Sequence, residues 1–210
     1  MIQITNKNLS RNRRLALAGA FSALEIVLTF TNLGFIAFSP VISITILQIP
    51  VILAAFLGGL PEGVFVGFIM GLMSLIKAAM SPTGILDPLF VYPWNSVLPR
   101  MLLGAVAWGF WKLFSLIPHF PKVINAGISA FAATFCHTLM VYGCIFLFNG
   151  RAIAETLASI GMAGAGYFTV VGVGIVSELL EAVASTVVSI AVLGGIAITG
   201  SRKSKLSKEE

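Results

Sequence analysis

Charge is what this chain has least of. Acidic and basic side chains make up 10% of its 210 residues, against about a quarter in soluble globular domains, so it cannot clothe itself in a water-solvated surface. Cysteine is nearly as scarce. Cys136 and Cys144 are the whole supply, and their spacing on a helix, about 12 Å, is too long for a disulfide. It is not a metal-ligand spacing either, and both read as small buried hydrophobes. The sequence contains no paired-histidine motif, no GxxxxGK[ST] phosphate loop and no GxSxG elbow. It thus offers no zinc hydrolase, nucleotide-driven motor or serine hydrolase, and the expectation is a non-enzyme without cofactor or metal.

Apolar side chains are what is abundant. They make up 58% of the chain, and a mean hydropathy of +1.00 points to a bilayer as the solvent. A spanning helix takes about 20 mostly apolar residues, and six such runs are readable, at 15–36, 44–60, 62–80, 96–117, 122–148 and 169–199. Their continuous apolar blocks lack the period-two alternation of a membrane barrel. The first is too long for a signal-peptide core and precedes no polar mature domain. The predicted architecture is an all-α membrane protein, a six-transmembrane-helix bundle forming a single domain over 1–210.

Orientation follows from the basic residues. With a cytoplasmic N-terminus, the inner segments hold Lys7, Arg11, Arg13, Arg14, Lys112, Lys122, Arg202, Lys203, Lys205 and Lys208, while the outer ones hold Lys77, Arg100 and Arg151. Cationic residues favour the cytoplasmic side, so both termini are expected there. The net charge of +5 is accounted for by these anchors and calls for no nucleic acid. The inner turns around Pro61–Glu62 and Pro118–Pro121 are short. The outer connections at 31–43, 81–99 and 149–167 are long, as binding loops and lids are, which locates the functional end on the outer face. The first, TNLGFIAFSPVIS, is apolar enough to lie on the bundle as a plug or lid.

Small residues mark two faces. Ala16/Ala20 and Gly19/Ala23 form overlapping small-xxx-small pairs in the first run, suited either to packing within the bundle or to docking another membrane protein. Gly59, Gly63, Gly67 and Gly71 recur every four residues in the third, a flat ridge for close approach of a neighbouring helix.

Ionisable groups at membrane depth are costly and default to functional candidates. They are Glu25, Lys77, Arg100, His137, Glu178 and Glu181, with a structural ion-pair network such as Arg100 with Glu178 as the competing explanation. Glu178 and Glu181 share one helix face; two anions so placed repel unless a cation or donor is near, and Arg100 and Lys77 are available. A lone His137 on an apolar helix is ordinarily a hydrogen-bonded core residue. The segment DPLFVYPWNSVLPR, 87–100, crowds Tyr92, Trp94, Asn95, Ser96 and Arg100 between prolines. Pro88, Pro93 and Pro99 are expected to keep it out of helix. Its rings suit an interfacial belt, but rings, amide, hydroxyl and guanidinium beside apolar loops also suit a small-molecule site. The predicted substrate-binding set is Lys77, Tyr92, Trp94, Asn95, Arg100, His137 and Glu178.

The order of LALAGAFSALEIVL, ITILQIPVILAAFLGGLPEGVFVGFIMGLMSLIKA and a long outer loop ending in SVLPRMLLG resembles the substrate-binding S component of energy-coupling factor (ECF) vitamin transporters, over the first four runs; the last two match in hydropathy and length alone. The resemblance implies a vitamin-binding subunit of an ABC-type importer in the prokaryotic plasma membrane. Such a subunit docks on a transmembrane coupling subunit driven by two cytosolic ATPases and topples to carry its site inward. It also implies docking through Ala16 and Ala20, with Gly19 and Ala23 as the competing register. QIPVILAAFLGG and SVLPRMLLG look most like the pantothenate type, with Arg100 on the carboxylate and Asn95, Tyr92 or Glu178 on the hydroxyls and amide. Riboflavin, stacked on Trp94, Tyr92 and Phe90, and cobalamin are the alternatives. A proton-coupled secondary transporter using Glu178, Glu181 or His137, and an intramembrane enzyme built on His137, are the rivals from other classes.

Overall fold

A computed structural model describes residues 11–31, 33–37, 43–82 and 86–206. The predicted inner anchors Lys7 and Lys208 and the middle of the 31–43 loop lie outside them. Six α-helices carry the architecture: α1 (Arg11–Phe30), α2 (Gln48–Leu57), α3 (Leu60–Met80), α4 (Pro93–Phe114), α5 (Lys122–Ser159) and α6 (Tyr167–Leu206). Between α1 and α2 lies a two-stranded antiparallel hairpin, β1 (Phe35–Ala37) with β2 (Ser43–Thr45), and a 3-10 turn at Asp87–Val91 precedes α4.

Among the described residues, four helices are long and apolar enough to cross a membrane: α3, α4, α5 and the Gly174–Thr199 part of α6. The expectation of six spanning runs is therefore met by four; α1 is not among them, and α2 is too short. Its 10 residues rise about 15 Å, half of a hydrocarbon core about 30 Å thick. The predicted 44–60 helix fails at its start because Ser43–Thr45 pairs with β1, and at its end because Gly59 leaves the helix with φ 117°, a left-handed value that suits glycine. Gln48 to Phe56 are all buried, as expected of a helix that is apolar all round, and α2 forms the central post of the bundle.

Specific contacts fix how the helices run. Arg14 pairs with Glu62 at the starts of α1 and α3, Nε and Nη2 both at 2.8 Å from the carboxylate, while Lys77 Nζ donates to the Thr29 carbonyl at their far ends (3.4 Å). α1 and α3 are therefore parallel. The glycine ridge packs on α4 running the other way. A Cβ on Gly63 would meet Ala55 and the Gly104 carbonyl, one on Gly67 the Arg100 carbonyl, and one on Gly71 the Val97 backbone. Asn125 joins the start of α5 to the end of α4 (Nδ2 to Trp111 O, 3.1 Å), so α5 reverses again. Thr186 donates to the Gly127 carbonyl across α5 and α6 (3.3 Å). The starts of α1, α3 and α5 and the end of α6 thus share one end of the bundle, here the terminal end. The hairpin and the 3-10 turn occupy the other.

Proline placement corrects a second expectation. Tyr92 caps α4, Pro93 sits at its first positions and Pro99 lies inside it, so the prolines do not keep this segment out of helix, and α4 begins three residues before the run read at 96–117. Proline is preorganised for a first turn, where no N–H is needed. Pro99 is tolerated because the carbonyl it orphans, that of Asn95 four residues back, accepts instead from Arg100 Nη1 (3.2 Å), which also reaches Ser96 O (2.8 Å). The 149–167 connection is also shorter than expected, because α5 resumes after a break at Asn149 (φ −129°, ψ 33°) and continues to Ser159.

Candidate functional site

Polar groups of this bundle gather toward the hairpin end. From α1 come Glu25 and Thr29, buried at 0% and 1% exposure; the Glu25 oxygens and the Thr29 hydroxyl have no hydrogen-bond partner among the described residues. From α4 comes Arg100, 9% exposed. Its Nη1 is committed to the Asn95 carbonyl orphaned by Pro99 and to the Ser96 carbonyl, its ring neighbour is Phe90, 5.1 Å from the guanidinium carbon, and its Nε is buried without a partner. Electrostatically it faces Glu25, Asp87 and Glu181. From α5 comes His137, buried with Nε2 unpartnered and within electrostatic reach of Arg100. From α6 come Glu178, with one carboxylate oxygen unpartnered, and Glu181.

Glu181 is held in place. Its oxygens accept from the Thr45 backbone N–H (2.6 Å) and Gln48 Nε2 (3.0 Å), and the Thr45 hydroxyl bonds Gln48 Oε1 (3.0 Å). The second strand of the hairpin is thereby stitched to α6 through Thr45.

The 87–100 segment supplies the wall. Asn95 is fully buried; its Nδ2 donates to Leu89 O and to Asn149 Oδ1, both at 2.8 Å, while its Oδ1 has no partner. Ser96 Oγ donates to the Phe90 carbonyl. Tyr92 and Trp94 behave differently. They stack on each other at 5.3 Å, Trp94 lies 6.3 Å from Phe148, and each leaves about two fifths of its surface exposed, the habit of an interfacial belt. Trp94 Nε1 also donates to Asn149 Oδ1 (3.0 Å).

Of the seven predicted binding residues, Asn95, Arg100, His137 and Glu178 converge on the buried centre. Tyr92 and Trp94 form its rim. Lys77 lies at the end of α3 against the α1 carbonyls, with Asp87 in electrostatic reach. Sequence reasoning did not assign Gln48, Asn149 or Glu25 to the site. A glutamine opening an otherwise wholly apolar helix was the available signal for Gln48. The face of α1 that carries Ala18, Ser22, Glu25 and Thr29 is the buried one; Ala16, Gly19, Ala20 and Ala23 are exposed, and a Cβ on Gly19 would meet nothing within 4 Å. The small-residue pairs therefore do not pack inside the bundle.

The arrangement places a few buried polar groups within an apolar shell. Known proteins were compared with the chain as a whole. Over 127 residues the chain is 30% identical to the pantothenic acid transporter PanT of Lactococcus lactis subsp. cremoris (strain MG1363), an alignment covering 54% of this chain and 62% of that relative's length. The family profile described as "ECF transporter, substrate-specific component" matches residues 13–193. The chain belongs to the substrate-specific component family of ECF transporters, a multi-pass membrane transport protein and not an enzyme.

Proposed function

We propose that this chain is the pantothenate-binding subunit of an ECF importer, that it takes the vitamin from outside with both termini in the cytoplasm across six membrane-embedded helices, and that it relies on a coupling subunit and two ATPases for energy. The observation carrying the substrate is Arg100, a buried guanidinium whose Nε has no protein partner. Glu25, Asp87 and Glu181 face the guanidinium electrostatically, His137 lies within electrostatic reach of it, and Asn95, His137 and Glu178 are the buried donors and acceptors assigned to the hydroxyls and the amide. Arginine engages a carboxylate through two parallel N–H donors, and the Nη1 contacts to Asn95 O and Ser96 O hold the guanidinium plane in advance. The likeness to a pantothenic acid transporter points the same way. For orientation, Arg11, Arg13, Arg14, Lys112 and Lys122 all belong to the terminal end, the cationic side that faces the cytoplasm. For docking, the exposed Ala16/Ala20 and Gly19/Ala23 stripe offers the close approach that helices need in lipid.

Calorimetry on the purified protein tests this with two ligands, pantothenate and panthenol, its alcohol analogue without the carboxylate. Wild type prefers pantothenate, and Arg100→Ala weakens pantothenate at least tenfold, about 1.4 kcal/mol, while leaving panthenol nearly unchanged. Equal losses for both ligands would make Arg100 a structural residue and remove the carboxylate contact.

A further inference from the structure

We propose that the groove between α5 and α6 near the terminal end holds an acyl chain of an anionic phospholipid, with the lipid's phosphate at the level of Lys112 and Lys122. The groove is separate from the vitamin site. Ile124, Gly127, Ile128 and Phe131 of α5 form one wall and Thr186 and Ile190 of α6 the other, around a space of about 300 Å³. The α5 positions recur at three- and four-residue spacing and so share one helix face, which rises about 10 Å from Ile124 to Phe131, about a third of the ~30 Å hydrocarbon core. Gly127 forms the floor, where an added Cβ would meet Ile190 Cδ1 at 2.8 Å. The rim side chains Ile124, Ile128, Phe131 and Ile190 are 38% to 49% exposed, so the groove opens on the outer surface of the bundle within a membrane-crossing pair of helices.

The lining selects hydrocarbon. Its single hydroxyl, on Thr186, is spent within the protein on the Ala182 and Gly127 carbonyls (2.8 and 3.3 Å), and a partner helix would want small residues on the rim for close approach, where isoleucine and phenylalanine stand instead. Charge selects the headgroup. The bond from Asn125 Nδ2 to Trp111 O (3.1 Å) sets Lys112, at the end of α4, level with Lys122, two residues before the groove begins, and both lysines are exposed. The start of α5 has no side-chain cap and no acid in its first turn, so its positive dipole end adds to theirs. Arg11, Arg13 and Arg14 belong to the same end. Among the described residues the acid found there is Glu62, already paired with Arg14, while Glu25, Asp87, Glu155, Glu178 and Glu181 lie toward the hairpin end. Five cations against one acid, beside an apolar slot at membrane depth, match an anionic lipid: basic clusters at the ends of membrane helices attract such headgroups.

The test is independent of the vitamin. Native mass spectrometry follows the purified protein as it is titrated with phosphatidylglycerol or with phosphatidylcholine carrying the same chains. Wild type is expected to bind phosphatidylglycerol at least about fivefold more tightly, the worth of roughly one lysine near a membrane surface. Lys112→Gln combined with Lys122→Gln is expected to bring the two lipids within about twofold of each other. Ile128→Trp fills the groove and is expected to weaken both lipids at least about fivefold, whereas Val187→Trp, at a 58% exposed position on α6 outside the groove, leaves them unchanged. Equal affinity of wild type for the two lipids overturns the proposal, as does an Ile128→Trp protein that binds lipid like Val187→Trp. Should Ile128→Trp keep its lipid and lose assembly with the coupling subunit, the groove is a protein-docking face and the proposal fails. The lysine pair, changed at exposed positions, decides the headgroup even if Ile128→Trp does not fold.

Discussion

In the proposed site Arg100 has two duties on separate edges, and this decides which replacements it tolerates. Nη1 serves the Asn95 carbonyl orphaned by Pro99 and the neighbouring Ser96 carbonyl, and the Nε side is the edge proposed for the ligand. Lysine offers a single rotating ammonium, so Arg100→Lys is expected to serve one duty at a time and to bind pantothenate at least several-fold less tightly than wild type in calorimetry; retention of full affinity would mean that bidentate geometry is not used. Asn149 is the other residue with leverage. One oxygen at the break in α5 receives both Trp94 Nε1 and Asn95 Nδ2, and Asn149→Ala leaves one of the two N–H donors of the buried Asn95 amide unpaired, the other still reaching Leu89 O, at a cost of about 1–3 kcal/mol, measurable as a lower Tm, with Asn149→Asp milder because its oxygens still accept. The sequence made Arg100, His137 and Glu178 visible as scarce charge at membrane depth. Asn149 was not visible, because an asparagine before a glycine reads as loop chemistry, and only the fold brings it beside a segment more than fifty residues earlier.

At the level of elements, spacing was informative where one helix touches another at a fixed period. The four-residue glycine ridge of α3 predicts close approach, and that is where it meets α4. Gly67→Ala would drive a methyl into the Arg100 backbone, an overpacking cost of about 1–3 kcal/mol, and would displace the site as well. Weaker pantothenate binding is expected to accompany the drop in Tm. Gly109→Ala on α4 has open space around the added methyl and serves as the matched control, with both properties near wild type. A Gly67→Ala protein indistinguishable from that control would mean the ridge does not position Arg100. Boundaries were the less legible part. Local proline rules argued against a helix at 93–99, yet a first-turn position and one arginine side chain accommodate both prolines. A run of apolar residues at 44–60 concealed a strand and a half-length helix, because strand, short helix and spanning helix share one composition when all faces are buried.

On the scale of the whole molecule, α1 presents two separate faces. The buried face of α1 contributes Glu25 and Thr29 to the centre, while the opposite face shows Ala16, Gly19, Ala20 and Ala23 outward. Since the faces are separate, Ala16→Trp and Ala20→Trp are expected to leave pantothenate affinity unchanged and to abolish co-purification with the coupling subunit; if complexes form normally with both, docking lies elsewhere. The Arg14–Glu62 pair ties this helix to α3 at the terminal end, but Arg14 is about one third exposed, and exposed pairs contribute about 0.2–1 kcal/mol, so its loss should shift stability little.

The central claim is that this chain binds and other chains supply the work. Uptake of labelled pantothenate into proteoliposomes tests it most directly, comparing the chain alone, with or without a pH gradient, against the chain assembled with its coupling subunit and ATPases. Accumulation that requires the full assembly and ATP is the predicted result. Accumulation by the chain alone, driven by the pH gradient at a rate matching the assembly, would contradict it.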